Sequence, residues 1–210
     1  MNIVNVEQGT DEWKAARAGK VTASRINDIL AKVKTGEAAD RRNYRAQIVA
    51  EIMTGVPQET SFYSAEMKWG NEQEPYARAA YEMRKNVLVD QVGMVLHPTI
   101  ERCAASPDGL VGDDGLVEIK CPLPANHIDY LLGGVAPAKY QNQMLWQMAC
   151  TERQWCDFVS FDPRMPEEFQ LFVVRFRRDE ERIKAMEAEV EEFLLSAMQV
   201  IDKLRGLKAA

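Results

Sequence analysis

Histidine is scarce in this 210-residue sequence, which contains only His97 and His127. That excludes a His-rich zinc site, and a Ser-His-Asp triad could draw on only those two. Cys103, Cys121, Cys150 and Cys156 form no Cys-x-x-Cys pair, which fits reduced thiols in a cytoplasm. No run approaches the roughly 18 apolar residues that a membrane span needs, and the opening Met-Asn-Ile-Val-Asn-Val-Glu does not read as a signal peptide. Repeats, linkers and low-complexity segments are also missing. What is there, 46% hydrophobic and 28% charged residues with 12 Gly and 9 Pro, excludes disordered and collagen-like chains. The length suits a sizeable core, and one domain over residues 1–210 is expected.

Charge argues first against nucleic acid. Twenty-six basic residues face 32 acidic ones, a net charge of −6 with a pI near 5.1. The mean hides a dipole. Lys14 to Arg45 carries nine basic residues and three acids, whereas Asp179 to Glu192 carries seven acids against Arg182 and Lys184. Should the chain bind a nucleic acid, the expectation is that the basic segment faces it and the acidic stretch lies away from it.

Hydrophobic spacing predicts helices over Glu12 to Ala18, capped by Asp11, and after Thr22-Ala-Ser24, with Gly19 between them. Further helices are expected from Arg41 to Met53 and from 65 to 84, the latter with Trp69, Tyr76, Ala77, Ala80 and Tyr81 inward. Strands are expected from Val87 to Leu96 and from Cys103 to Ser106. A hairpin should join Leu110-Val111 to Leu116–Ile119 through Gly112-Asp-Asp-Gly115. Helices near Ile128 to Leu132 and from Ala138 to Cys150, strands Cys156 to Phe161 and Phe169 to Phe176, and a long amphipathic helix from Ile183 to Leu204 complete the chain. The order suggests an α/β domain with a central mixed sheet flanked by helices.

The chemistry concentrates in Ser106-Pro-Asp108-Gly-Leu110 and, ten residues on, Glu118-Ile-Lys120. Glu118 and Lys120 are two apart on a strand and share a face, and the hairpin brings Asp108 across from them. Two carboxylates meet favourably only around a cation, and oxygen ligands without histidine select Mg²⁺ or Mn²⁺. A neighbouring lysine can hold or help deprotonate an attacking water while the metal neutralises phosphate charge. Glu-x-Lys also occurs at Glu12-Trp-Lys14 and Glu66-Met-Lys68, but those fall in helical segments without an upstream acid. Local sequence alone would equally suit a solvated hairpin with a surface ion pair. Glu74, in Trp69-Gly-Asn-Glu-Gln-Glu-Pro75, is a further acid, and by itself reads as a carboxylate at a helix start. Arg17 and Ser24 supply a guanidinium, a hydroxyl and helix N-terminal amides, the parts of a phosphate pocket. Gln143 by itself reads as an exposed helix position, Trp13 as core, and Cys121 as a small buried residue.

Taken in order, these pieces resemble the phage-type alkaline exonuclease family, which contains lambda exonuclease and the YqaJ-like viral recombinases. The likeness rests on Gln8-Gly9, Trp13, Arg17, Gly19, Thr22-Ala-Ser24, Trp69-Gly70 with Glu74, Ser106-Pro-Asp-Gly-Leu110 and Glu118-Ile-Lys-Cys-Pro122. It continues through Leu132-Gly-Gly134, Tyr140 with Gln143, and Asp162-Pro-Arg-Met165. The resemblance implies a restriction-endonuclease-like core of the PD-(D/E)xK type. It also implies 5′-to-3′ digestion of one strand of linear double-stranded DNA to mononucleotides, leaving 3′ overhangs. On this chain Asp108 and Glu118 would bind Mg²⁺ together with the Ile119 carbonyl, Glu74 completing the site directly or through water. Lys120 would activate water, and Arg17, Ser24, Ser106 and Gln143 would receive the 5′-phosphate. A homotrimeric ring, a single-strand-annealing recombinase partner, and a phage or prophage protein working in a bacterial cytoplasm are implied as well. Family members can carry an arginine just after the Lys-Cys-Pro. Here Leu123-Pro-Ala-Asn-His127 has none, so either Asn126 or His127 takes its place or that contact is missing. Alternative readings are a structure-specific endonuclease on the same core and a non-catalytic DNA-end scaffold.

Overall fold

A computed structural model describes residues 1–58 and 64–207 of the chain. Among the described residues nine strands form two sheets. The four-stranded sheet takes β1 (Asn2–Val4), β4 (Met94–Leu96), β5 (Cys103–Ala105) and β2 (Val21–Thr22) in that order. The five-stranded sheet takes β3 (Val89–Asp90), β6 (Gly109–Val111), β7 (Gly115–Lys120), β8 (Trp155–Phe161) and β9 (Leu171–Arg177). Each is mixed, since β2 runs parallel to β5 and β7 parallel to β8 while the other pairs are antiparallel. The five-stranded sheet is the central mixed sheet expected from the sequence, and the second sheet separates from it at residues 91–93. The expected strand from Val87 to Leu96 divides there into β3 and β4, which enter different sheets. Gly93 allows it, because a Cβ at that position would lie 2.1 Å from the Val6 carbonyl oxygen.

The described residues also form seven α-helices: α1 (Asp11–Arg17), α2 (Ile26–Leu30), α3 (Ala39–Thr54), α4 (Ala65–Lys85), α5 (Pro124–Gly133), α6 (Ala138–Thr151) and α7 (Glu180–Gly206). Thr10 rather than Asp11 caps α1, its hydroxyl accepting from the Trp13 N–H at 3.2 Å. Thr22 and Ser24 do not open a helix directly; Thr22 ends β2 and Ser24 lies in a 3₁₀ turn, Ala23–Arg25, that leads into α2. Pro75 sits inside α4, so Glu74 is a mid-helix residue and not a helix start. Of the residues expected inward on α4, Ala77 and Tyr81 are buried, whereas Tyr76 is 66% exposed, one helical step (about 100°) away from Ala77.

The five-stranded sheet is covered on both faces. Val117 and Ile119 of β7 pack with Ala77 and Tyr81 of α4. Leu116 on the opposite face joins a larger cluster with Met144, Leu145 and Met148 of α6 and Ile183, Met186 and Val190 of α7. Val21, Cys103 and Ala105 of the four-stranded sheet belong to that same cluster. Both histidines are structural. His97 stacks on Trp146 with ring centroids 5.2 Å apart. His127 is fully buried, with Ser160 Oγ at 2.7 Å from Nδ1 and the Phe169 carbonyl oxygen at 2.8 Å from Nε2. Ser160 is also fully buried, so this Ser–His pair offers no nucleophile to a substrate.

The hairpin that carries the chemistry is anchored by Arg153, which follows α6. Its guanidinium Nη1 donates to the carbonyls of Gly115 at 2.7 Å, Gly112 at 2.8 Å and Val111 at 3.3 Å. Arg153→Met would leave buried carbonyls unpaired at the turn that sets the β6–β7 register, at a cost of about 2–4 kcal/mol. Urea unfolding should show the midpoint falling with an unchanged m-value; an unchanged midpoint would remove Arg153 from any role in the hairpin.

Candidate active site

The register of β6 and β7 pairs Gly109 with Val117, which sets Asp108 beside the strand that carries Glu118. Asp108 lies where the chain leaves β5 of one sheet and enters β6 of the other, at the junction between the sheets. Its Oδ2 accepts from the Ile119 N–H at 2.6 Å. Glu118 and Lys120 do share a face, with Lys120 Nζ 2.5 Å from Glu118 Oε1. That face turns toward α6, from which two glutamines one helical turn apart reach Glu118. Gln143 Nε2 donates to Oε1 at 2.6 Å and Gln147 Nε2 to Oε2 at 2.6 Å. Gln143 is therefore not an exposed helix position. Gln147 was not anticipated; it stands between Trp146 and Met148 and reads as core, and only its i, i+4 spacing from Gln143 could have signalled it.

Electrostatics show a concentration of negative charge. The Asp108 carboxyl is held well above the ordinary aspartate range, first by desolvation and then by the charges of Glu118 and Glu74, with Lys120 and the Ile119 N–H opposing. Burial by itself would lower the Lys120 ammonium, but the carboxylates of Glu118 and Asp108 outweigh it and hold its pKa above the usual lysine value. Glu74 sits on α4 with its Oε1 2.5 Å from Arg78 Nη2.

These groups fit a hard divalent cation. A carboxyl whose proton affinity is raised by burial and by neighbouring carboxylates, as that of Asp108 is, with oxygen as the sole donor type, is the setting such an ion relieves. Among the described residues no three His, Cys, Asp or Glu side chains are gathered closely enough to hold an ion unaided. Asp108 and Glu118 would need a backbone oxygen such as that of Ile119, or water, to complete a shell, which suits an ion that keeps several waters.

A cavity of about 1640 Å³ opens beside these carboxylates. Glu74 and Asp108 line it together with Trp13, Arg17, Ser24 and Arg78. Arg17 lies over the Trp13 ring at 3.9 Å and donates to Thr22 Oγ1 at 3.4 Å, and Thr22 Oγ1 is 3.4 Å from Ser24 Oγ. Trp13 Nε1 donates to Ser106 Oγ at 3.0 Å, so Trp13, expected as core, ties Arg17 to Ser106. The turn between Arg17 and Ser24 depends on Gly19, whose φ is +68° and whose N–H donates to the buried Glu51 carboxylate at 2.7 Å. Tyr44, also unanticipated, accepts the Thr22 N–H at 3.1 Å. Burial pushes its phenol up to about 12, so it stays protonated. Of the sequence-predicted residues, Arg17, Ser24, Glu74 and Asp108 line the cavity, Ser106 reaches it through Trp13, and Glu118, Lys120 and Gln143 lie behind its lining, joined to one another by hydrogen bonds and to Asp108 by charge.

After Lys120-Cys121-Pro122, His127 cannot stand in for an arginine, since both its ring nitrogens are engaged inside the protein. Asn126 is exposed. Arg164, from the Asp162-Pro-Arg-Met165 segment, donates to the Pro122 carbonyl at 3.1 Å and lies over the Trp69 ring at 4.5 Å.

The chain is similar over its length to solved nucleases. The alkaline exonuclease LHK-Exo from Laribacter hongkongensis is 46% identical, with a TM-score of 0.87 over 95% of this chain and 98% of that one. LHK-Exo in complex with dAMP gives 46% identity and a TM-score of 0.88 over 96% and 100% of the two chains. A phage-related exonuclease from Haemophilus somnus 129PT shares the fold, with a TM-score of 0.70 at 16% identity over 91% and 99%. The architecture is therefore restriction-endonuclease-like. Uncharacterized protein R354 of Acanthamoeba polyphaga mimivirus is 29% identical over 174 residues, 75% of this chain and 29% of that protein, so the chain spans about three-tenths of its length. Residues 12–154, more than half of the chain, match the model of the YqaJ-like viral recombinase domain, and the protein belongs to that family.

Proposed function

We propose that the protein is a Mg²⁺-dependent 5′-to-3′ exonuclease that digests one strand of linear double-stranded DNA to mononucleotides. The observation that carries this reading is that Arg17 and Ser24 line the same cavity as Glu74 and Asp108. Anion-binding groups and metal-binding carboxylates then act on one strand end: a 5′-phosphate seated at the first places a following phosphodiester near the second. The cavity exceeds the roughly 300–1,000 Å³ of ordinary small-molecule sites, as a polymer end requires. Membership of the family and the likeness to LHK-Exo, an alkaline exonuclease, support the same chemistry.

In this reading Asp108, Glu118 and the Ile119 carbonyl hold the ion, with Glu74 acting directly or through water, and Mn²⁺ can substitute. A bound ion would supply Lewis-acid polarisation of the phosphodiester and lower the pKa of its water. Lys120 donates from beside Glu118 and orients the attacking water. Arg17, Ser24 and Ser106 donate to the terminal phosphate, and Gln143 joins them when its amide leaves Glu118. Residues 1–210 act as one nuclease domain, working as a homotrimeric ring that leaves 3′ overhangs for a single-strand-annealing recombinase in a bacterial cytoplasm.

End-labelled linear duplex tests the proposal. With Mg²⁺ the 5′ label should leave first as a mononucleotide, and chelator should stop the reaction. Cutting of closed circles would favour the endonuclease reading instead. Lys120→Ala should lower turnover by about 10²–10⁴-fold, the range of a lost proton-handling group. Its DNA affinity in Ca²⁺ should stay near wild type; near-normal turnover would move the water-orienting role elsewhere. Arg17→Ala should reduce the preference for 5′-phosphate over 5′-hydroxyl ends by about 10–100-fold, the worth of a charge-assisted hydrogen bond. An unchanged preference would place the phosphate pocket at other residues.

A further inference from the structure

The hydrogen bonds that Glu118 accepts divide unequally between its two carboxylate oxygens. Oε1 receives Gln143 Nε2 at 2.6 Å and Lys120 Nζ at 2.5 Å, while Oε2 receives Gln147 Nε2 at 2.6 Å. Gln143 and Lys120 are half-buried, so what enters the site can draw them away. Gln147 is fully buried, as is Glu118, so the bond between them is closed to solvent. The other end of the Gln147 amide, its own Oε1, is buried and has no hydrogen-bond partner among the described residues. A buried polar atom left unpaired destabilises the folded chain. Methionine at this position would fill similar space among Met144, Trp146 and Met148 without that cost. The side-chain amide of Gln147 supplies one thing in return, a permanent donor to Glu118 Oε2.

We infer that Gln147 is a positioning residue that sets the ion preference of the site by withholding Oε2, so that Glu118 presents a single oxygen to a cation. The inference rests on the metal-dependent reading of Asp108 and Glu118. Mg²⁺ binds through one or two carboxylates, keeps several waters and demands near-octahedral geometry. Ca²⁺ takes six to eight oxygens and readily accepts both oxygens of one carboxylate. A Glu118 confined to one oxygen therefore disfavours the larger ion, and the discrimination comes from a residue that touches neither ion nor DNA.

The test measures ion binding without DNA or turnover. Mg²⁺ and Ca²⁺ dissociation constants are obtained by competition with Tb³⁺ luminescence on the full chain and on Gln147→Met. The variant should shift the Ca²⁺-to-Mg²⁺ affinity ratio toward Ca²⁺ by about 10-fold, the lower end of what loss of an outer-shell hydrogen bond does to metal affinity. An unchanged ratio overturns the inference while leaving the metal site intact. Wild-type protein that binds neither ion overturns the metal reading and the inference with it. A measurement that needs no variant at position 147 is the infrared difference spectrum of the wild type, Mg²⁺-loaded minus ion-free, with the Glu118 bands identified through Glu118→Gln. The wide splitting of a one-oxygen carboxylate ligand supports the inference, and the narrow splitting of a two-oxygen ligand overturns it.

Discussion

The fold around the site depends on one electrostatic constraint, the fully buried carboxylate of Glu118 in the middle of the five-stranded sheet. Burying such a group costs several kcal/mol unless donors surround it. Three side chains do so here: Lys120 from the same strand, and Gln143 and Gln147 from α6. The arrangement requires that β7 turn Leu116, Glu118 and Lys120 toward α6 and Val117 and Ile119 toward α4. A register slip of one residue would bury Glu118 against Ala77 and Tyr81 and carry an apolar side chain to the glutamines. Arg153 on the hairpin turn and the Asp108–Ile119 bond both oppose such a slip. The contacts that hold the register are thus the ones that bring the carboxylates together.

How much of this was legible in the sequence varies with how local the cause is. Glu118 and Lys120 share a face because strand geometry has period two, and Asp108 meets them because a Gly-bearing turn folds the hairpin back. Both causes lie within about a dozen residues, and both could be read. The division of Val87–Leu96 could not, because it follows from the Val6 carbonyl passing over Gly93, a contact between distant segments. Glu51 and Tyr44 escaped for the same reason: they read as ordinary members of a helix until the turn at Gly19 and Thr22 is placed against them. Gln147 was hidden by its neighbours, since Trp146 and Met148 make its stretch of α6 look like core, as it is.

The charge dipole along the sequence does not become two separate surfaces in the fold. The basic segment does not face one way. Lys32 and Arg41 pair with Glu189 of α7 at 3.0 and 3.2 Å, so part of it neutralises the acidic helix. Lys14, Arg17, Lys20 and Arg25 line the cavity instead. The acidic stretch is therefore bound to the basic one, at the α3–α7 contact, rather than set apart from it.

That division bears on how an acidic protein would engage DNA under the proposed function. Duplex binding along its sides draws on many phosphate contacts at once and is weak where surface cations are already paired with carboxylates. The cavity is different, because there guanidinium and ammonium groups stand with Glu7, Glu51, Glu74 and Asp108 in one enclosure. A strand threaded into it gains the cations at Arg17 but meets carboxylate repulsion at Asp108 and Glu74. A divalent ion, if held by those carboxylates, would offset the repulsion. Under the proposed function the ion would then serve binding as well as chemistry, by offsetting the carboxylate charge that a phosphodiester would meet at Asp108 and Glu74.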